Sequence, residues 1–155
     1  EILTRGTNLM LGYYKNDEAT AQAIDSDGWY HTGDLATMDE DQNIFIRGRI
    51  KNMLLGANGQ NVYPEEIEDK LSSMPMVSEC IVVQREQKLV ALVYPDQDEL
   101  MNFSSDELQG IMEQTRQQLN LQLPPYSRIA AIQLQGEEFQ KTPKKSIKRY
   151  LYSIL

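Results

Sequence analysis

The sequence is short of the residue types that several large functional classes depend on. Its 155 residues include one cysteine, Cys80, which excludes an internal disulfide or a cysteine-based zinc cluster and fits a reducing compartment. There is one histidine, His31, flanked by an aromatic residue and a turn. A Ser-His-Asp hydrolase would need it as base, and no nucleophile elbow accompanies it. Positive charge is scarce: 15 Lys and Arg stand against 23 Asp and Glu, a formal net charge of −8. That argues against a nucleic-acid partner, because binding phosphates over an extended surface needs a basic face. The longest unbroken apolar run, residues 89–94, falls far short of the ~20 residues of a membrane helix. No charged, apolar, small-residue leader opens the chain. What is present, 41% apolar and 25% charged residues, is the composition of a globular protein. The expectation is a soluble, acidic, cytoplasmic protein with no transmembrane segment. Peripheral attachment to a membrane is compatible with that expectation.

The chain divides by grammar near residue 50. Residues 1–50 are short extended pieces between turns, and Glu1-Ile-Leu-Thr-Arg5 already reads as a strand, so the chain is expected to begin mid-domain. Asn16 is placed to cap a short helix running to Ile24, and residues 35–38 and 44–47 form a hairpin. Fifty such residues have too little apolar area to fold alone, so this part is expected to be the β-rich end of a large N-terminal domain. Residues 51–155 are expected to form a small mixed α/β domain of the α+β class, a β-hairpin plus a three-stranded sheet with flanking helices. Pro64-Glu65-Glu66 opens a helix with Ile67, Leu71 and Met74 inward, and residues 77–84 and 88–94 form a hairpin around Arg85-Glu86-Gln87. Ser104 to Glu107 is a capping box before a helix carrying Leu108, Ile111, Met112 and Leu119, stopped by Leu123-Pro-Pro125. A strand over residues 128–134 follows. Thr142-Pro143 then predicts a last helix with Ile147, Tyr150, Leu151 and Ile154 on one face.

Three places could carry chemistry. In Tyr30-His31-Thr32-Gly33-Asp34-Leu35 a carboxylate follows a glycine at a strand start. Such an Asp can accept hydrogen bonds from two ribose hydroxyls, or simply cap a turn. Arg47-Gly48-Arg49 leads through Lys51 to Gly56-Ala-Asn-Gly59, a loop able to admit a phosphate or thin ligand, or a plain wide-turn hairpin. Lys51 stands where the chain changes character, a candidate hinge. Lys141-Thr-Pro-Lys-Lys-Ser-Ile-Lys-Arg149 has five basic residues in nine. On a helix opening at Thr142 they would favour an anion, or they are a solvated basic face. Cys80 reads as a small buried hydrophobe, and the methionines show no metal-ligand spacing.

Together these segments resemble the adenylate-forming (AMP-binding) superfamily, which includes acyl-CoA synthetases. The resemblance is carried by Asn8-Leu-Met-Leu-Gly-Tyr-Tyr-Lys-Asn-Asp-Glu-Ala-Thr20, Gly28-Trp-Tyr-His-Thr-Gly-Asp-Leu35 and Gly48-Arg49-Ile-Lys51. Asn58-Gly59-Gln-Asn-Val-Tyr-Pro-Glu-Glu-Ile-Glu68 and Leu123-Pro-Pro-Tyr126 follow in the family's order. The resemblance implies the C-terminal part of a long-chain fatty-acid–CoA ligase. Such an enzyme activates a carboxylate with ATP to an acyl-adenylate, then passes the acyl group to coenzyme A. An adenylate-forming ligase for an aryl or other carboxylic acid and a non-catalytic module derived from such an enzyme are the alternatives. By the same resemblance Asp34 would bind the ribose hydroxyls, Arg49 the ribose or phosphate region, Lys51 would be the hinge, and Gly59 would sit on the coenzyme A channel loop. Magnesium ligands, the phosphate loop and the acyl pocket would belong to a missing N-terminal domain of the same chain. The family's Pro-Lys-Thr-x-x-Gly-Lys pattern puts the catalytic lysine four residues after threonine, where this chain has Ser146. Counting back from Lys148-Arg149 gives Lys145 instead, with a one-residue deletion, so Lys145 is the expected catalytic residue.

Overall fold

A computed structural model describes residues 1–56 and 58–153, which fall into two compact units, Glu1–Asn52 and Met53–Leu155. In the first unit β1 (Leu3–Thr4) pairs antiparallel with β2 (Tyr30–His31), and α1 (Asp17–Ala23) lies between them in sequence. Asn16 caps α1 as expected, its side chain accepting from the Ala19 N–H at 3.0 Å. The expected hairpin is formed by β3 (Asp34–Met38) and β4 (Ile44–Arg49). Its loop is closed by Asp39, which accepts from both the backbone and the side-chain amide of Asn43 at 2.8 and 2.9 Å. A bulge between Leu35 and Ala36 re-aims the strand end that carries Asp34 and Arg49. No apolar side chain of this unit is fully buried among the described residues, and Ile44, Ile46 and Met38 are largely exposed. Lys51 does not extend a strand: it sits in a three-residue 3-10 turn, Ile50–Asn52.

The second unit holds the core. A small pair, β5 (Leu54–Leu55) with β6 (Asn61–Val62), leads into α2 (Pro64–Ser72), which starts on proline and has Glu65 and Glu66 in its first turn. Both features favour a helix N-terminus, one because the missing N–H is not needed there and the other through the helix dipole. The main sheet has the order β7–β8–β9, with β7 (Val77–Arg85) and β8 (Lys88–Pro95) antiparallel and β9 (Ala131–Leu134) parallel to β8. The turn residues Glu86 and Gln87 both have positive φ, 47° and 62°, which matches the right-handed twist of the two strands. The parallel partner requires a crossover, supplied by α3 (Gln97–Leu100) and α4 (Ser105–Leu121). The capping box of α4 is complete, with Ser104 and Glu107 each satisfying the other's backbone N–H.

The near-continuous apolar runs of β7 and β8 belong to a sheet buried on both faces. One face carries Cys80, Val82, Leu89, Ala91 and Val93 against Ile67 and Leu71 of α2 and Leu108, Met112 and Leu119 of α4. The other carries Ile81, Val83, Val90 and Leu92 under Phe139, with Ile147 and Tyr152 packed alongside. Each such fully buried side chain stabilises the fold by about 1.5–3 kcal/mol. The covering on this second face is where the expected last helix fails. Residues 141–147 form a tight hairpin instead, with an isolated bridge between Lys141 and Ile147, and only Arg149–Leu151 makes a 3-10 turn. Ile147 therefore reaches the core from a strand-like segment and not from a helical stripe, while Ile154 of that stripe lies outside the described residues. No helix among the described residues is long and apolar enough to cross a membrane.

Candidate functional site

Each unit carries part of the expected site. In the first, Gly33 adopts φ +73°, a conformation that favours glycine, and this turns the chain between β2 and β3. The turn is tied down on all sides. The Ile2 N–H donates to Asp34 O at 2.8 Å, the Ile50 N–H donates to Gly33 O at 2.9 Å, and the Thr32 hydroxyl donates to Ile2 O at 2.8 Å. Asp34 and Arg49 begin and end the hairpin as register partners, and Arg49 Nε lies 2.8 Å from Asp34 Oδ1. A second guanidinium nitrogen, Nη1, donates to Thr32 O at 3.2 Å. The two residues expected at the nucleotide are thus brought together. Both remain open to solvent, at 31% and 59% side-chain exposure, so the pair can exchange partners with a ligand at little cost.

Beside this turn His31 stands between two carboxylates, with Nδ1 2.8 Å from Glu1 and Nε2 3.6 Å from Asp25. The hydrogen bond to Glu1, with Asp25 adding to it, raises the His31 pKa. The same bond and the Gly33 N–H hold the Glu1 carboxyl below its ordinary value. This cluster was not visible in sequence, because Glu1 and His31 lie thirty residues apart and meet only through β1–β2 pairing, while Asp25 is brought up by the Ile24–Tyr30 bridge. Among the described residues no group of three or more His, Cys, Asp or Glu side chains could hold a metal ion. The described residues thus supply no cluster to hold magnesium.

In the second unit Gly59 lies on the β5–β6 loop at φ +78°. A Cβ there would touch nothing within 4 Å, so the backbone angle and not crowding selects glycine. The loop is braced by Asn58, whose side chain bonds both the side chain and the N–H of Gln60 at 2.7 and 3.2 Å. Lys145 lies on the hairpin of residues 141–147. The Lys145 N–H donates to Thr142 O at 2.8 Å, the Thr142 N–H to Ser146 O at 2.8 Å, and the Ser146 N–H to the Thr142 hydroxyl at 3.3 Å. Lys145 itself occupies the left-handed corner, φ 62°, and Ser146 is the first residue of the returning arm. Thr142 does act as a cap, but of a turn. The expected anion-attracting helix terminus is absent there.

Sequence reading missed the pair that anchors this hairpin. Arg149 Nη1 donates to Glu68 Oε1 at 2.7 Å, Nη2 bonds Glu68 Oε2, and Glu68 Oε1 also accepts from the Val82 N–H at 2.6 Å. One signal was available: Glu68 adjoins Ile67 and lies three residues before Leu71 on the inner face of α2, where a carboxylate needs a partner. Cys80, buried close by, has its thiol pushed up to about 12 by burial, so it stays protonated and unreactive.

Comparison with known proteins agrees with this architecture. Residues 51–153 match the family described as AMP-binding enzyme C-terminal domain. A Bacillus subtilis protein, YngI, named as an acyl-CoA synthetase, is 52% identical over 83 residues, covering 54% of this chain and 15% of its own length. The long-chain-fatty-acid–CoA ligase FadD15 of Mycobacterium tuberculosis is 43% identical over 83 residues, 54% of this chain and 14% of its own. This chain thus spans only about a seventh of the length of such relatives. Among solved structures, the adenylation domain of a carboxylate reductase from Mycobacterium chelonae matches with TM-score 0.82 at 25% identity, over 92% of this chain and 24% of that one. The small mixed α/β unit, its order of elements and the family match agree: the chain belongs to the AMP-binding enzyme C-terminal domain family.

Proposed function

We propose that the protein serves an ATP-dependent acid–thiol ligase of the fatty-acid–CoA ligase type, with a long-chain acid as substrate, acting in the cytoplasm. A carboxylate oxygen bonds to the α-phosphorus of ATP and the bond to pyrophosphate breaks, giving an acyl-adenylate. The thiolate of coenzyme A then bonds to the acyl carbon and AMP leaves. In this reading Asp34 accepts the ribose hydroxyls and Arg49, freed from Asp34, faces the ribose or phosphate. Lys51 is the hinge, Gly59 lets its loop approach the pantetheine arm, and the Lys145 ammonium offsets the charge that develops between the attacking carboxylate and the α-phosphate. The phosphate loop, acyl pocket and magnesium ligands would come from an N-terminal domain of the same protein. The observation that carries the reading is the joining of Asp34 and Arg49 at one hairpin end within a chain of this family.

A second reading, a non-catalytic module, is favoured by one feature. The residue four after Thr142 is Ser146, and the intact turn leaves Lys145 at a backbone corner. ATP–pyrophosphate exchange by the intact protein, across a panel of fatty and aryl acids, separates the two. The ligase reading expects exchange with long-chain acids, a loss on the order of 100-fold or more in Lys145→Ala, and unimpaired thioester formation from supplied acyl-adenylate. Exchange that appears only after Ser146→Lys supports the non-catalytic module.

A further inference from the structure

The five basic residues of the segment 141–149 are divided by use. Lys141 is bound by Glu79 of β7 and by Glu138, and Arg149 by Glu68 of α2. The ammonium groups of Lys144, Lys145 and Lys148 have no ion pair among the described residues. The two bound residues stand at the two feet of the hairpin. Lys141 bridges to Ile147, and the Lys148 N–H donates to Gln140 O at 2.8 Å immediately before Arg149. Below them the Phe139 and Tyr152 rings meet edge to face at 5.0 Å, and the Tyr152 hydroxyl accepts from the Gln140 N–H at 2.9 Å.

The foot at Arg149 is the more demanding of the two. Glu68 and Arg149 are 12% and 22% exposed, and the single Glu68 carboxylate joins α2, the backbone of β7 and the hairpin. Burial pushes the Glu68 carboxyl above its ordinary range even against the guanidinium, so its charge depends on the pair. A two-pronged guanidinium–carboxylate contact fixes orientation as well as distance, which a lysine in the same place would not do. Among the described residues, the hydrogen bonds of residues 142–146, which carry both lysines of the tip, lie within their own turn.

We infer that Glu68 and Arg149 are positioning residues: their contact sets the hairpin on α2 and β7 and so fixes where Lys144 and Lys145 are presented to a phosphate-bearing substrate. The substrate rests on the ligase reading; the positioning of the hairpin does not. The test uses the intact protein with Arg149→Met, Arg149→Lys and Glu68→Gln, the last keeping an acceptor for the Val82 N–H should the first fail to fold. Tryptic cleavage after Lys144 and Lys145, followed by mass spectrometry under native conditions, should quicken about 10-fold or more in Arg149→Met and Glu68→Gln, with Arg149→Lys between. In ATP–pyrophosphate exchange, kcat should fall about 10-fold with KM for ATP within about twofold, thioester formation from supplied acyl-adenylate should persist, and Arg149→Lys should recover part of the loss. Cleavage at the parent rate overturns the inference. So does a loss of both half-reactions in step with the folded fraction. A parent protein inert toward every acid sinks the ligase reading instead, and the cleavage arm then decides the inference alone.

Discussion

His31, held between Glu1 and Asp25, makes the first unit sensitive to pH from both sides. Because the bond to Glu1 raises the folded pKa of His31, its contribution to stability is complete below the unfolded value of about 6.5 and is lost as pH rises through the raised folded value. The Asp25 carboxyl, held down first by the Trp29 N–H and then by Asp27 and His31, works the other way, as does Glu1. Their contributions are present above the ordinary carboxylate range and are lost as pH falls through their lowered values. Trp29, with the Arg5 guanidinium 4.4 Å above its ring, is the one tryptophan of the chain and reports on this unit by fluorescence. Its unfolding midpoint in urea should therefore be higher at about pH 6 than at about pH 9, and His31→Gln should abolish that difference. An undiminished pH dependence in the variant would assign the effect to other groups.

Among the elements, those specified by local chemistry were legible in sequence and those specified by distant contacts were not. Asn16, Pro64 and the Ser104–Glu107 box name their helices because caps act within four residues of the chain. Replacing Ser104 by Ala should cost about 1 kcal/mol in denaturant unfolding, and pairing it with Glu107→Ala should add less than the sum of the two single changes. Full additivity would mean that the two side chains act separately. The segment after Thr142 shows the limit of local reading. Thr-Pro opens a β-turn as readily as a helix, and the spacing of Ile147, Tyr150 and Leu151 suits either. What decides it is the second face of a sheet whose strands lie about fifty residues earlier, which Phe139, Ile147 and Tyr152 cover together. The same distance hid the anchoring of the candidate lysine, since Glu68 and Arg149 lie 81 residues apart and no local pattern joins them. The hairpin that joins Asp34 to Arg49 was legible, because its turn links two strands adjacent in sequence, whereas the nucleotide roles of the two residues rest on family resemblance alone.

At the scale of the whole molecule, burial is concentrated in the second unit, whose sheet is enclosed on both sides. Leu92, fully buried under Phe139, should be among the most costly positions to truncate, with Leu92→Ala losing about 2–5 kcal/mol in thermal or denaturant unfolding followed by circular dichroism. A change below about 1 kcal/mol would mean that the covering segment collapses into the space left behind. The same double-sided sheet has a consequence for how the protein is made. Its two antiparallel strands are neighbours in sequence and, with α2 just ahead of them, can meet early, whereas their parallel partner, α4 and the covering that includes Phe139 arrive from farther along the chain. Until then one apolar face of the hairpin is bare and the other only partly covered, open to water and to other molecules of the same kind, and it is in this interval that self-association competes with completion of the domain.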